Sequence, residues 1–358
     1  MLASQKISER LKETQLFFLP EPPNRFIRFC RIVTGSIPAA LFTLFLSLLR
    51  FADFILIGIE ADPLIMFSVI GYFSLVYPTL HLSKNRKDYL RASEAVIAAA
   101  EALEKQVNQK QMKRMMKITR SLRILNALFI CENIANILSI VLLLRYSPFG
   151  GSLSVHLGEM YLLPLHISQF IALPLASFSV LTVFLFYIEV TISLTCMFDI
   201  LGEHFQKATS RGEVHELIRT HQSMLISAKM LDRLLSLVWF SLLFSFLSVV
   251  IYSTYLLIAF TFHVFVVLII ISLYAVLSRA CILGELVSKS SGNTAFMIYE
   301  SDWVHTLSQL RGDLSFVILR SQIPCYSTAS FLGNMDFRKL LSIGNYWYKA
   351  VQALLSLK

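Results

Sequence analysis

Residues 167–198 read ISQFIALPLASFSVLTVFLFYIEVTISLTCMF, and Glu189 is the one charged residue among them. A helix crosses a bilayer with about 20 consecutive residues that are mostly apolar. This stretch is therefore long enough to form a transmembrane helix. Six other stretches meet the same criterion, and the seven predicted spans are 32–59, 64–83, 122–144, 167–198, 234–260, 262–285 and 328–357.

The composition of the whole chain agrees with this interpretation. Of its 358 residues, 56% are apolar and only 15% are charged, and the mean hydropathy is +0.64. A soluble domain carries nearer a quarter of charged residues. The sequence therefore predicts an all-α, polytopic membrane protein. The net charge of +9 is concentrated between the spans, where it indicates topology and contact with membrane lipids, and not nucleic-acid binding.

The basic residues lie almost entirely on one side of the predicted spans. They crowd the N-terminal arm and the segments after spans two and four, whereas the turns at 60–63 and near 261 have none and 145–166 has only Arg145. Basic loops stay in the cytoplasm. The N-terminus is therefore predicted to be cytoplasmic and the C-terminus, after seven spans, extracellular. This orientation is the reverse of a G-protein-coupled receptor, so no G protein is required.

Three regions follow from this topology. They are a cytoplasmic N-terminal arm (1–31), spans one to six with their connections (32–302), and a split seventh helix (303–358). Residues 84–121 predict one long polar helix, and spans four to six are expected to extend into a cytoplasmic helical bundle. The seventh helix is split because Pro324 removes a backbone donor and disfavours helix at the preceding residue. The two parts are a cytoplasmic anchor at 303–323 and a membrane helix at 328–357.

A few polar residues stand out within the spans. Glu132, Glu189 and Lys349 are charged, and such residues usually face a bundle interior or a water-filled cavity. In the last span Asn345, Lys349, Gln352 and Ser356 recur at helical spacing. Such a stripe is typical of a water-filled pore shared by several subunits. It is equally compatible with side-chain hydrogen bonds to the helix's own bundle.

No motif for catalysis or cofactor binding is found. The five cysteines do not have the spacing of metal ligands, and neither a nucleophile–base pair nor a glycine-rich phosphate loop is present. The sequence thus predicts no catalytic residue, no metal and no cofactor, in a protein that is not an enzyme.

Several short motifs occur in the last part of the chain. They are His221-Gln222, Tyr299-x-x-x-Trp303, Arg320-Ser-Gln-Ile-Pro324, Thr328-Ala329 and the closing Asn345-Tyr-Trp-Tyr-Lys-Ala-Val-Gln-Ala-Leu-Leu-Ser-Leu-Lys358. In this order, with this topology, the chain resembles the insect odorant receptor family, most strongly over 198–358. Lys349 and Arg338-Lys339 depart from the usual pattern of the family. Thr254-Tyr255 is only an accidental match to the motif of the related gustatory receptors.

The resemblance implies an odorant-gated, non-selective cation channel of four subunits, with one last helix per subunit around the pore. It places the gate at Ala353 and Leu357, with Asn345, Lys349, Gln352 and Ser356 also lining the pore. Tyr299 and Trp303 are expected to anchor the subunit in the cytoplasmic bundle. Because there is no long loop between spans four and five, a ligand-tuning subunit is expected. It would assemble with a shared co-receptor as a heterotetramer in the plasma membrane of a sensory-neuron dendrite.

The same resemblance implies a ligand pocket between the outer halves of spans two to five. Large apolar side chains there suit small volatile organic molecules, and Tyr72, Asn136 and Ser177 supply polar selectivity. The predicted ligand-binding residues are Phe67, Ile70, Tyr72, Phe73, Asn136, Ile137, Ile140, Phe170, Leu173, Ser177, Phe178, Tyr252 and Tyr255. Two alternatives remain: a gustatory-type ligand-gated channel, and a small-molecule transporter, which predicts half-chain symmetry and broken helices at mid-membrane.

Overall fold

The structure is a computed structural model that describes residues 6–19, 76–146, 159–208, 210–259, 264–301 and 311–356, with 37–38, 40–42, 44–45 and 48. These residues are almost entirely helical. The helices with named bounds are α1 (Ile7–Gln15), α2 (Arg86–Glu104), α3 (Gln109–Tyr146), α4 (Glu159–Lys207), α5 (Arg211–Ala259), α6 (Val264–Glu300), α7 (Arg311–Ser321) and α8 (Phe337–Ser356).

Three of these helices are long enough and apolar enough to cross a membrane, counting only the part of the chain that the structure describes. The candidate spans lie within Ser177–Lys207, Arg211–Tyr255 and Ile270–Glu300, and these ranges overlap predicted spans four, five and six. At 1.5 Å per residue, the 49 residues of α4 extend for about 74 Å. A bilayer core is about 30 Å thick, so α4 continues well beyond the membrane.

The segment predicted as one polar helix, 84–121, is two helices. α2 ends at Glu104 and α3 begins at Gln109. Asn108 and Gln111 cap the start of α3 reciprocally, because the Gln111 backbone N–H donates to Asn108 Oδ1 (2.9 Å) and the Asn108 N–H donates to Gln111 Oε1 (3.2 Å). This capping box is a signal for a helix start. The prediction of one helix was therefore wrong, although the capping pair Asn108 and Gln111 is a sequence signal for the break.

The core of the bundle lies between the long helices. α4 and α6 share the most extensive contact, and α5 packs against both. Tyr187 and Phe184 of α4 meet the ring of Trp239 of α5 edge to face, with ring centroids 4.7 and 5.4 Å apart. Such aromatic pairs add to the stabilisation that comes from burial alone. The long helices thus form one packed unit.

The helix α1 packs against this unit through its apolar face. Ile7 and Leu11 are buried against the bundle, and α1 contacts α2, α3 and α4. Two polar contacts with α2 support the packing, since Ser8 Oγ donates to Glu104 (2.7 Å) and Lys12 Nζ lies 2.6 Å from Glu101. The α1 part of the N-terminal arm is therefore docked on the chain's own helices.

The last hydrophobic element is interrupted around Pro324, where the sequence predicts a break, and the helix after it begins later than residue 328. α7 ends at Ser321, before Pro324, and α8 begins at Phe337 and not at 328. Residues 325–336 instead form a turn that contains the short 3-10 helix Ser330–Leu332 and Gly333 with φ +84°, and a bridge between Thr328 and Asn334 closes it. Asp336 Oδ1 then accepts the Lys339 N–H (2.8 Å), and such a cap favours a helix start at that point.

Candidate functional site

The candidate site consists of two connected parts. The first is the junction segment, residues 321–336, which joins α7 to α8. The second is α8 itself, which carries the polar stripe predicted from the sequence. Both parts contact the long helices α5 and α6.

The junction segment is fixed to α5 at two points. Ser321 Oγ lies 3.2 Å from His221 Nε2, and both side chains are buried. The backbone N–H and the hydroxyl of Thr328 both donate to Asp232 Oδ1, at 2.7 and 2.8 Å. Hydrogen bonds to a carboxylate are about twice as strong as neutral ones. Asp232 therefore holds the start of the turn firmly against α5.

The same segment is fixed to α4 and α6. The Tyr187 hydroxyl lies 3.1 Å from Ser327 Oγ, and the Cys325 N–H donates to Ser291 Oγ at 2.9 Å. Burial raises the pKa of the Cys325 thiol to about 11, so this side chain stays protonated and neutral at physiological pH. The segment thus binds one surface built by three helices.

A close approach between α6 and the junction depends on Gly284. A Cβ atom at this position would lie 2.1 Å from the backbone oxygen of Met335. That distance is far below van der Waals contact, and the obstacle is backbone. Only glycine lets the end of the turn lie this close to α6.

The inner edge of α8 packs against α5 and α6. The indole N–H of Trp347 donates to Thr254 Oγ1 at 2.9 Å, and Ile343 is buried. A cavity of about 10 Å³ remains beside these residues, lined by Phe246, Val250, Ile270, Tyr274, Ile343, Gly344 and Trp347. It has barely room for one water molecule. α8 is therefore seated closely along this edge.

The residues of the predicted polar stripe lie on the opposite, exposed face of α8. Asn345, Lys349, Gln352, Ala353 and Ser356 are all exposed, and Leu357 lies outside the described residues. Gln352 Nε2 donates to the Tyr348 hydroxyl, and Ser356 Oγ donates to the Ala353 carbonyl, both at 2.8 Å. These bonds stay within α8. The interpretation of the stripe as a seam bonded to its own bundle therefore finds no support among these side chains.

The predicted ligand-binding residues fall mostly outside what the structure describes. Phe67, Ile70, Tyr72 and Phe73 are outside entirely, and so are the side chains of Asn136, Ile137, Ile140, Phe170, Leu173 and Tyr252. Ser177 is half-buried on α4, and Phe178 and Tyr255 are 42% and 39% exposed on α4 and α5. Of the predicted anchor, Tyr299 is 70% exposed near the end of α6, and Trp303 lies outside the described residues.

One buried polar cluster joins the N-terminal arm to α4. Arg10 donates through Nε and Nη2 to Glu189 Oε1, at 2.9 and 2.7 Å, and Asn126 Nδ2 donates to the same oxygen. The Glu189 side chain is only 2% exposed. The sequence predicted that Glu189 faces a bundle interior or a water-filled cavity, but it gave no sign that Arg10, 179 residues away, is its partner.

Comparisons with known proteins identify one family and one fold. The family model described as 7tm Odorant receptor matches residues 65–348. Two solved structures of the insect olfactory receptor OR5 from Machilis hrabei are similar to the whole chain. The structure in complex with eugenol has 13% identity and a TM-score of 0.75, and covers 98% of this chain and 99% of the receptor. The other has 12% identity and a TM-score of 0.78, with 98% and 97% covered. A search of curated proteins finds no match.

Proposed function

The chain belongs to the 7tm odorant receptor family, and on that premise we propose that it is a ligand-tuning subunit of an odorant-gated, non-selective cation channel. Members of this family are multi-pass membrane receptors of olfaction and not enzymes. The family match favours this function over a gustatory-type channel or a transporter.

The observation that carries the channel proposal is the two-sided character of α8. Trp347 and Ile343 hold one side against α5 and α6, while Asn345, Lys349 and Gln352 lie on the exposed side. A polar face on an otherwise apolar helix in a membrane protein needs water or polar partners. Four such helices around an axis supply both, because their polar faces together line one aqueous path.

The proposed pore residues are Asn345, Lys349, Gln352, Ala353, Ser356 and Leu357, with the gate at Ala353 and Leu357. In this arrangement the junction segment is the mechanical connection between α8 and the long helices. Movement of α5 would reach α8 through Thr254–Trp347 and through Asp232–Thr328. Both contacts are short hydrogen bonds between separate elements.

The proposed topology has seven spans with the N-terminus in the cytoplasm and the C-terminus outside. The distribution of Lys and Arg supports this orientation, and α1 docks beside the basic segment formed by α2 and the first turns of α3. We place the protein in the plasma membrane of a sensory-neuron dendrite, assembled with a shared co-receptor as a heterotetramer. Tyr299 and Trp303 serve as anchor residues of that assembly.

The proposed ligands are small volatile organic molecules, which bind between the outer halves of spans two to five. The candidate residues there are mostly apolar, and such a pocket selects by shape and dispersion with a few polar groups for orientation. The similar OR5 structure from Machilis hrabei contains eugenol, a ligand that fits the proposed chemical class.

The function is tested by co-expressing the chain with the co-receptor and recording calcium entry and permeability ratios over a panel of volatile compounds. We expect Gln352→Ala to change the permeability ratios and to leave the rank order of activating odorants unchanged. Leu355→Ala, on the exposed apolar flank of α8, is the matched control and should change neither quantity. Unaltered permeation in the Gln352 variant would contradict the pore assignment, and silence across the panel would contradict the receptor assignment.

A further inference from the structure

We propose that a groove between α3 and α4 binds the headgroup of an anionic phospholipid from the inner leaflet. The groove has a volume of about 220 Å³ and is lined by Lys117, Ile118, Ser121 and Leu125 of α3 and by Ile192 of α4. Its lining shares no residue with the junction segment, α8 or the proposed odorant pocket. The inference rests on the proposed topology, which places the start of α3 in the cytoplasm, and not on channel activity.

The first argument is the positive charge on the face of α3 that includes Lys117, a residue of the groove lining. Lys110, Lys113, Lys117 and Arg120 recur three and four residues apart on α3, so they share one face, and all four are exposed. Their neighbour Arg114 is neutralised by α4, since it lies 2.7 Å from Glu203 and 3.6 Å from Asp199. Within the part of the chain that the structure describes, the other four form no ion pair. Their positive charge therefore remains available to a ligand.

The second argument is the position of the groove relative to the membrane. Ile124, Leu128 and Ile134 on α3 are 59%, 58% and 47% exposed, and in a membrane protein such side chains face lipid tails. Arg120 and Lys117 precede Ile124 by four and seven residues, which is about 6 and 10 Å along the helix axis. This is the depth at which phospholipid headgroups meet the hydrocarbon boundary.

The third argument is the chemistry of the lining. Lys117 supplies an ammonium group and Ser121 a hydroxyl, whereas Ile118, Leu125 and Ile192 supply an apolar wall. A free phosphate would gain no contact with the apolar wall, and a neutral lipid would gain no net attraction from the four cations. An anionic phospholipid uses both, with its phosphate at Lys117 and the start of an acyl chain along Ile118 and Leu125. Clusters of four or more basic residues just cytoplasmic of a span are typical of such lipid recognition.

The test uses the purified full-length chain in nanodiscs of phosphatidylcholine, with or without phosphatidylserine or a phosphoinositide, and measures retained lipid by native mass spectrometry. We expect the anionic lipids to be retained and Lys117→Gln with Arg120→Gln to weaken retention roughly tenfold or more. The matched control is Lys229→Gln with Arg233→Gln. These two cations are exposed on α5 just before its span and do not line the groove.

A second variant distinguishes the contribution of the groove's shape to lipid binding from that of the positive charge. Ser121→Trp fills the groove at an exposed position, keeps every cation and is expected to weaken retention by a similar factor. Equal weakening in the α5 control would overturn the proposal in favour of diffuse attraction. Competition by a soluble inositol phosphate at the same concentration as the lipid would overturn it in favour of a free phosphate ligand. Retention that none of these variants changes would also overturn it.

Discussion

Trp347 of α8 and Thr254 of α5 are joined by a hydrogen bond of 2.9 Å from the indole N–H to the threonine hydroxyl, although 93 residues separate them in the chain. Thr254 in turn donates to the Val250 carbonyl at 2.8 Å, so its hydroxyl both accepts and donates a hydrogen bond. The bond ties the helix that carries the polar stripe to one of the three long helices of the bundle.

Removing either partner of this bond should loosen α8. Trp347→Phe and Thr254→Val are each expected to lower the free energy of unfolding by about 1 kcal/mol, the net value of a typical hydrogen bond. The double variant should lose little more than either single variant, because both remove the same contact. Thermal unfolding of the purified protein in detergent measures the three values. Strict additivity would contradict the contact.

Asp232 is expected to control the local stability of the junction segment. Asp232→Ala removes the acceptor of both the Thr328 N–H and its hydroxyl, and hydrogen bonds to charged groups contribute about 1.5–3 kcal/mol. Amide exchange in the peptide that contains Thr328 should therefore accelerate by about tenfold or more, as measured by hydrogen–deuterium exchange. Asp313→Ala, at an exposed position of α7, should leave this peptide unchanged. Equal exchange in both variants would argue against Asp232 as the support of the turn.

The ion pair of Arg10 and Glu189 should respond asymmetrically to mutation. Arg10→Gln leaves a carboxylate that is only 2% exposed, whereas Glu189→Gln leaves an arginine that is 18% exposed and lies 3.2 Å from Glu13. Removing one partner of a buried pair lowers the free energy of unfolding by about 3–5 kcal/mol. The loss for Arg10→Gln should be near that range, and the loss for Glu189→Gln should be smaller.

The measurement for this pair is the midpoint of thermal unfolding in detergent. Arg91→Gln breaks an exposed pair with Asp88 and should cost at most about 1 kcal/mol. A larger drop in the unfolding midpoint for Glu189→Gln than for Arg10→Gln would contradict this prediction. It would show that the unpaired carboxylate is not the costlier group to leave buried.

Gly284→Ala should displace the end of the junction segment from α6. The new Cβ would meet the backbone oxygen of Met335 at 2.1 Å, whereas a Cβ at Gly212 meets nothing within 4 Å. Gly212→Ala, in the first turn of α5, is therefore the matched control and should be neutral or slightly stabilising. Channel activity and thermal stability should both fall in the Gly284 variant alone. Equal activity and equal thermal stability of the Gly284 and Gly212 variants would show that the close approach of Met335 to α6 does not require glycine.

The sequence by itself determined the features that depend on neighbouring residues. The length of the apolar stretches predicted the long helices that contain the predicted spans four to six, and Pro324 predicted a break before the last helix. The capping pair Asn108 and Gln111 marks the start of α3, and Asp336 marks the start of α8. Both signals are local, and both boundaries were mispredicted because apolar and helix-forming periodicity outweighed them.

Only the tertiary structure decided which distant residues meet. His221 and Ser321 belong to two separate motifs, yet their side chains lie 3.2 Å apart. Nothing in either motif specifies that contact, because it exists only when α5 and α7 are both packed on the same bundle. The same holds for Arg10 and Glu189. A local pattern fixes how each helix forms and which face is apolar, whereas packing selects the pairs of polar groups that must satisfy one another once water is excluded.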